Sequence, residues 1–263
     1  MTLVLSIKVK EGLVLAADSR INSKPPRNDA VKILSFTEGN HRHVGALVSG
    51  NAVIDESDMR MPQELLPQLE KTLHSERLSV EVYARELHDF FCLHYKNEWE
   101  KHRKKIIRGS GTTTFLVAGF NENEDVGRVL LAANFQYLTE APYFNDLSSR
   151  LDLPLDVTNG EMNCIVARGE LGSAYQGAYK SCFSDNKELT KGLEDNRLEL
   201  LKVPDNSSLK DAAHIACSLI QRTICYRRRL NQPTTIHDPI RVCTITQREE
   251  LKTYRLRCPP LAL

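Results

Sequence analysis

The stretch MTLVLSIKVKEGLVLAADSR, residues 1–20, decides the fold. Apolar side chains alternate with other residues over 3–9, a period of two that predicts a β-strand. Lys10-Glu11-Gly12 supplies a turn, and residues 13–17 are continuously apolar, as expected of a strand covered on both faces. The stretch therefore predicts an antiparallel hairpin that brings the chain start beside residues 18–21.

The residue behind the initiator methionine is a threonine, and Met1 is commonly removed when the second residue is small. The mature chain would then begin with Thr2, which carries both a hydroxyl and a free α-amine. Because an α-amine has an unperturbed pKa of about 7.7 to 8.0, a useful fraction is uncharged near neutral pH and accepts a hydroxyl proton. Thr2 would therefore contain a nucleophile and its base together.

Two charged residues near strand ends complete this hypothesis. A lysine ammonium near Thr2 would favour the alkoxide and disfavour protonation of the amine, and a buried carboxylate would hold that lysine in place. Asp18, after the second strand, and Lys32, at the start of the next, are the candidates. Each residue alone has an ordinary structural explanation, so the hypothesis depends on the combination.

Composition sets the class of protein. A chain of 263 residues with 41% hydrophobic and 26% charged content can bury a full core, and we expect one domain. The formal charge of +1 gives no general indication of nucleic acid or an anionic membrane as partner. The seven cysteines are scattered without C-x-x-C pairs, which predicts buried thiols and neither a disulfide framework nor a zinc site.

No apolar run approaches the roughly 18 residues of a membrane span, and charged residues interrupt the first apolar segment. We therefore expect a cytoplasmic protein without a membrane partner.

The rest of the chain groups its elements in blocks. A helix broken by Pro62 and Pro67 is expected within 51–73, a longer one capped by Ser79, and an amphipathic one that begins at Ser208. A short helix is expected at 172–182, and 135–160 and 183–207 are interpreted as long loops or insertions. The predicted strands lie at 31–36, 43–49, 113–120, 127–133, 162–167, 240–246 and 253–256. This order favours an α+β fold of antiparallel sheets layered with helices.

The sequence resembles a known family. The run TLVLSIKVKEGLVLAADSR at 2–20 is similar to the start of mature proteasome β-subunits and of the bacterial peptidase HslV. The similarity continues in VKILSF at 31–36, VGALVSGNA at 44–52 and FLVAGFN at 115–121, and covers roughly 2–55 and 112–134. The resemblance implies the N-terminal nucleophile (Ntn) hydrolase fold, a four-layer αββα sandwich of two antiparallel sheets, in one domain over 1–263.

Carried over residue by residue, the resemblance implies Thr2 as nucleophile, Asp18 and Lys32 as the activating pair, and the backbone amide of Gly50 as oxyanion donor. A glycine at a strand end also lets backbone approach a ligand closely. Asp18 and Lys32 are separated by two fewer residues in this sequence than in the family, which a shortened loop at 23–26 would explain. With no propeptide before Thr2, the chain is more similar to HslV and the bacterial proteasome relative Anbu.

Two supporting positions of the family are replaced here. The family's G-S-G stretch corresponds to ARGELGSA at 167–174, where Glu170 or Ser173 stands for the serine, and Ser173 is the weakly favoured choice. The family's Asp-x-x-Ser before the final strand is not evident, and Thr235 or Asp238 would substitute.

The expected function is threonine-type hydrolysis of peptide or unfolded protein inside a homo-oligomeric ring. An ATP-dependent unfoldase is a further partner of such rings, and no cofactor, metal or nucleic acid is expected. Two alternatives stay open. One is a ring-forming scaffold subunit of the same fold without activity, and the other is an Ntn hydrolase that acts on a small amide.

Overall fold

The computed structural model describes residues 3–20, 28–37, 39–50, 61–73, 75–102, 111–137, 144–146, 154–158, 162–168, 198–229, 239–249 and 251–254. Strands open the chain, two helices follow, six strands come next, and one helix precedes the last two strands. In chain order the elements are β1 (Val4–Val9), β2 (Gly12–Ala17), β3 (Ile33–Ser35), β4 (Val44–Gly50), α1 (Pro62–Glu70), α2 (Val80–His102), β5 (Gly111–Gly119), β6 (Arg128–Tyr137), β7 (Phe144–Asp146), β8 (Leu155–Asp156), β9 (Cys164–Arg168), β10 (Leu198–Lys202), α3 (Leu209–Arg229), β11 (Arg241–Ile245) and β12 (Lys252–Tyr254).

The strands form two sheets in which every described pairing is antiparallel. The first sheet has the order β10-β9-β1-β2-β11-β12, and the second has the order β3-β4-β5-β6-β7 with β8 also paired to β6. The opening hairpin lies at the centre of the first sheet, where Val4 pairs with Ala17 and Val9 with Gly12. The predicted hairpin and the α+β class with two antiparallel sheets are confirmed.

The alternating faces of the strands bury three apolar clusters. The inner faces of the two sheets pack together through residues such as Leu15 of β2, Leu47 of β4 and Leu116 of β5. The outer face of the first sheet packs on α3, and the outer face of the second packs on α1 and α2. We call the space between the sheets, with its cluster, the inter-sheet layer.

The two long helices begin where side chains cap their first turns. Ser208 Oγ accepts a hydrogen bond from Asp211 N at 3.1 Å, and Asp211 Oδ2 accepts one from Ser208 N at 3.1 Å, which is the predicted capping box of α3. At α2, Ser79 Oγ accepts from Val82 N at 3.3 Å. Both predicted caps are confirmed.

Other predictions differ from the structure. Pro67 does not break its helix but lies inside α1, where the missing N–H removes one hydrogen bond while the fixed φ of proline remains helical. The segments interpreted as loops contain regular structure, because β6 extends to Tyr137 and β7, β8 and β10 pair at sheet edges. These strands are short, so their sequence periodicity is weak. The helix predicted at 172–182 lies outside the described residues.

The prediction of buried thiols holds only in part. Cys164 and Cys243 carry buried thiols and Cys92 and Cys225 half-buried ones, but Cys217 of α3 is disulfide-bonded. The sequence did not indicate this bond because the seven cysteines show no framework spacing. Among the described helices, none is long and apolar enough to cross a membrane.

Two buried histidines pack around Tyr83 where α2 meets the second sheet. His41 Nδ1 shares a hydrogen bond with the Tyr83 hydroxyl, and His43 Nε2 donates to the Leu78 carbonyl at 3.2 Å. Burial, with a smaller contribution from the charge of Arg77, lowers the pKa of His43 to about 4. Burial raises the pKa of Tyr83 to about 12. His43 is therefore neutral in the folded protein at pH 7.

This burial predicts a stability loss in mild acid. Below the unfolded pKa of 6.5, His43 is protonated in the unfolded chain. In the folded chain it stays neutral until the pH falls to about 4. We expect the free energy of unfolding to fall by about 3 kcal/mol between these limits through His43 alone. Urea denaturation at pH 7 and pH 4 measures it. His43→Gln should flatten this dependence and exposed His214→Gln should not; equal slopes in all three proteins would contradict the assignment.

The tight hairpin predicts a second stability effect. A Cβ at Gly12 would lie 2.5 Å from the carbonyl oxygen of Ile245 in β11, a backbone atom that cannot rotate away. Gly12→Ala should therefore lower the free energy of unfolding by about 1–3 kcal/mol in urea denaturation. Gly39→Ala is the control, because nothing lies within 4 Å of a Cβ there. Equal stability of the two variants would show that β11 shifts without cost.

Candidate active site

The carboxylate of Asp18 joins three parts of the chain. It follows β2, and its Oδ1 accepts hydrogen bonds from Leu3 N at 2.9 Å and from Lys32 Nζ at 2.9 Å. Its Oδ2 accepts from Arg20 N at 3.0 Å, and Asp18 N donates to the Leu3 carbonyl at 3.2 Å. The predicted neighbourhood of the chain start and Asp18 is therefore present as far as Leu3.

Lys32 reaches this carboxylate from the second sheet. It precedes β3, and its carbonyl accepts from Val48 N of β4 at 2.9 Å. The side chains of Lys32 and Asp18 are both 0% exposed, so the ion pair lies in the interior between the two sheets. The predicted contact between the two residues is confirmed.

Burial dominates the electrostatics of the pair. It lowers the pKa of Lys32 below the ordinary value of 10.5, and the negative charge of Asp18 and the hydrogen bond to it oppose this lowering. The Lys32 ammonium therefore releases a proton more readily than an exposed lysine, while Asp18 keeps it in position.

Gly50 ends β4 at the same end of the second sheet. Its φ of 89° lies in the left-handed region that favours glycine, and the residue is exposed. Lys32 lies opposite Val48 of β4, and Val48 is two residues before Gly50. The backbone at Gly50 is thus an exposed strand end close to the buried ion pair.

The structure does not place the remaining predicted site residues. Thr2 and Ser173 lie outside the described residues, and so do the alternatives Glu170, Thr235 and Asp238. Of the five predicted catalytic residues, Asp18, Lys32 and Gly50 lie at one end of the inter-sheet layer.

Sequence reasoning missed two arginines at this end. Register pairs Arg168 with Val4, Val4 with Ala17, and Ala17 with Arg241, so the four residues form one row across the first sheet. Directly paired residues share a face, and Val4 and Ala17 belong to the inter-sheet cluster. Both arginines are therefore on the inner face of the sheet, beside the chain start.

The two arginines differ in exposure. Arg168 is 7% exposed, and its Nε donates to Thr114 Oγ1 in β5 at 3.2 Å, whereas Arg241 is exposed. The signal in the sequence was an arginine at one terminus of each of two apolar segments: Arg168 ends β9, and Arg241 begins β11. Only the register shows that the two segments flank β1 and β2.

A second buried lysine lies at the opposite end of β1. Lys8 is 1% exposed, its Nζ donates to Thr158 Oγ1 at 3.3 Å, and that hydroxyl donates to Asp156 Oδ1 at 2.7 Å. Lys8 is about 13 Å along the strand from Val4, so it does not belong to the Asp18 site. The sequence indicated no role for it, because its polar partners come from β8 and the turn after it.

A cleft of about 920 Å³ also lies away from Asp18. Lys10, Asp125, Asn163 and Arg248 are among its lining residues, which places it at the turn of the opening hairpin. The Oδ1 atom of Asn163 is buried there, and no described residue donates a hydrogen bond to it. In the part of the chain that the structure describes, no group of three or more His, Cys, Asp or Glu could hold a metal ion.

No protein-family model matches the sequence, and no curated protein matches it.

The buried pair predicts strong energetic coupling between its members. Asp18→Asn leaves the Lys32 ammonium buried without its carboxylate, and the free energy of unfolding should fall by about 3–5 kcal/mol. The double variant Asp18→Asn, Lys32→Met removes the stranded charge and should lose less than the two single losses combined. Urea denaturation of the four proteins gives the coupling energy. Strictly additive losses would contradict an ion pair in solution.

Proposed function

We propose that this protein is a threonine-type hydrolase of the Ntn class, with the Thr2 hydroxyl as nucleophile after removal of Met1. The observation that supports this most is the hydrogen bond from Leu3 N to the carboxylate that also holds Lys32. The carbonyl carbon of residue 2 is bonded to that same nitrogen. A threonine at the chain start is therefore tethered one peptide bond from a buried lysine and carboxylate.

The proposed reaction begins at Thr2. Its α-amine takes the hydroxyl proton as Oγ attacks the carbonyl carbon of an amide, and the carbonyl oxygen becomes an oxyanion. When the tetrahedral intermediate collapses, the carbon–nitrogen bond breaks and the amine departs with the proton. A water molecule then loses a proton to the α-amine and hydrolyses the ester, which releases the acid and restores Thr2.

Lys32, Asp18 and Gly50 support these steps. The Lys32 ammonium stabilises negative charge on Oγ and disfavours protonation of the α-amine by charge repulsion. Asp18 positions Lys32 and neutralises its charge when no substrate is bound. The Gly50 amide is the proposed oxyanion donor, which suits an exposed strand end where no side chain blocks approach.

The architecture supports the same class. Two antiparallel sheets packed face to face with helices outside are what the αββα sandwich of the Ntn class requires. As in proteasome β-subunits, HslV and Anbu, we propose peptide or unfolded protein as substrate, a homo-oligomeric ring, and an unfoldase as possible ATP-dependent partner. Ser173 is the proposed supporting hydroxyl, ahead of Glu170, Thr235 and Asp238.

The buried ion pair also bears on the scaffold alternative. A buried pair is usually no more stabilising than apolar residues of similar volume, so a purely structural subunit gains little from keeping Asp18 and Lys32. Their position beside the chain start therefore favours an enzyme.

Mass spectrometry of the intact protein tests the nucleophile. After exposure to a peptide epoxyketone, which reacts with an amine and hydroxyl on one residue, we expect loss of Met1 and a single adduct. Thr2→Ala should abolish the adduct because the hydroxyl is gone, whereas Thr246→Ala, at the hairpin-turn end, should keep it. Retained Met1 without an adduct would overturn the proposal in favour of the scaffold.

A further inference from the structure

Two buried side-chain hydrogen bonds join the sheets at the end of the inter-sheet layer where the candidate active site lies. Lys32 Nζ donates to Asp18 Oδ1 at 2.9 Å, and Arg168 Nε donates to Thr114 Oγ1 at 3.2 Å. Asp18 and Lys32 have fully buried side chains, and Arg168 and Thr114 are also buried. Each bond therefore ties one sheet to the other away from water, where a hydrogen bond is electrostatically stronger than at the surface.

The two bonds enclose the strand at the chain start. Asp18 follows β2 and Arg168 ends β9, and this part of the first sheet has the order β9-β1-β2. β1 therefore lies between the two bonded residues, and Val4 at its start pairs with Arg168. Leu3, the residue before Val4, donates its N–H to Asp18. Both bonds thus hold the strand that follows Thr2.

The same two bonds enclose the strand of the proposed oxyanion donor. Lys32 precedes β3, Thr114 lies in β5, and this part of the second sheet has the order β3-β4-β5. β4 therefore lies between them and ends at Gly50. Thr114 pairs with Ser49, the residue before Gly50, and β1 packs across the inter-sheet layer on β4. The chain start and Gly50 thus belong to two facing strands between the same two cross-sheet bonds.

The N–H of Gly50 points away from β5. Val48 N donates to the Lys32 carbonyl on the β3 side of β4. N–H groups two residues apart point to the same side of a strand, so Gly50 N is directed to the β3 side, beyond the first residue of β3. The pairing of Ser49 with Thr114 therefore sets the position of the Gly50 amide without using its N–H.

We infer that Arg168 and Thr114 are positioning residues, whose hydrogen bond sets the distance between a nucleophile at the chain start and the Gly50 amide. The inference rests on the proposed function and concerns the geometry of that same site. An oxyanion donor acts at about 2.7–3.1 Å from the developing charge, and a misplacement of about 1 Å costs up to about a hundredfold in rate. The Asp18–Lys32 bond supports one side of the two facing strands, and the Arg168–Thr114 bond supports the other.

The opposite end of the inter-sheet layer offers a matched control. Lys8 Nζ of β1 donates to Thr158 Oγ1 at 3.3 Å, and Thr158 is fully buried. In both places a buried basic residue of the first sheet donates to a threonine hydroxyl from the second-sheet side. Because Lys8 is about 13 Å along the strand from Val4, removal of the Thr158 hydroxyl should loosen the layer without moving Gly50.

Reaction of the full chain with a peptide epoxyketone, followed by intact mass, tests the inference. Its maximal rate, kinact, reports attack by Thr2, and its half-saturating concentration, KI, reports binding of the probe. Thr114→Val keeps the side-chain shape and removes the hydroxyl, so it should lower kinact by about ten- to a hundredfold and change KI little. Arg168→Met should do the same. Thr158→Val should keep kinact near the wild-type value, although urea denaturation should show a similar loss of stability.

Combined variants assign the effect to the bond. Arg168→Met together with Thr114→Val should lower kinact no further than the larger single loss, because both changes remove the same hydrogen bond. Losses that multiply would show that the two residues act separately and would contradict the inference. Arg168→Lys keeps a donor, so it should retain part of kinact in the presence of Thr114 and bring no recovery in the Thr114→Val background.

The wild type and the single variants separate the two proposals. Unchanged kinact in Thr114→Val and Arg168→Met would overturn the positioning role and leave the hydrolase. An equal loss of kinact in Thr158→Val would also overturn it, since the cause would then be a general loosening of the layer. A wild-type protein that forms no adduct would overturn the hydrolase and the positioning role with it. If Arg168→Met fails to fold, the comparison of Thr114→Val with Thr158→Val still decides.

Discussion

The ion pair between Asp18 and Lys32 is the interaction on which the rest of the candidate site depends. It joins the first sheet to the second, and the same carboxylate binds Leu3 N, so the chain start and both sheets meet at one group. Each charge is buried, and neither is tolerable there without the other. This constraint fixes the end of the inter-sheet layer where a nucleophile at the chain start would work.

Charge is distributed unevenly along the inter-sheet layer. Lys8 and Lys32 are buried toward opposite ends: Lys32 Nζ donates to the Asp18 carboxylate, and Lys8 Nζ donates to the Thr158 hydroxyl, which in turn donates to Asp156. The Lys32 end also has the two flanking arginines.

Much of the frame around the site could be predicted from short stretches of sequence. The opening hairpin follows from alternation around a Lys-Glu-Gly turn, and the caps at Ser79 and Ser208 depend on residues three positions apart. Longer-range features could not be predicted. The β7, β8 and β10 strands have only two to five residues, too few for a clear alternation, and β10 pairs with β9 across the intervening residues 169–197. The disulfide at Cys217 likewise has no local signal.

The sequence by itself determined the hairpin, the α+β class and the candidates Asp18, Lys32 and Gly50, because each depends on local periodicity or on a motif within the first fifty residues. Only the tertiary structure decided that Asp18 and Lys32 are fully buried against each other and that Arg168 and Arg241 flank them. Burial and strand register are properties of packed sheets. They depend on contacts between residues as far apart as Val4 and Arg168, which no local pattern encodes.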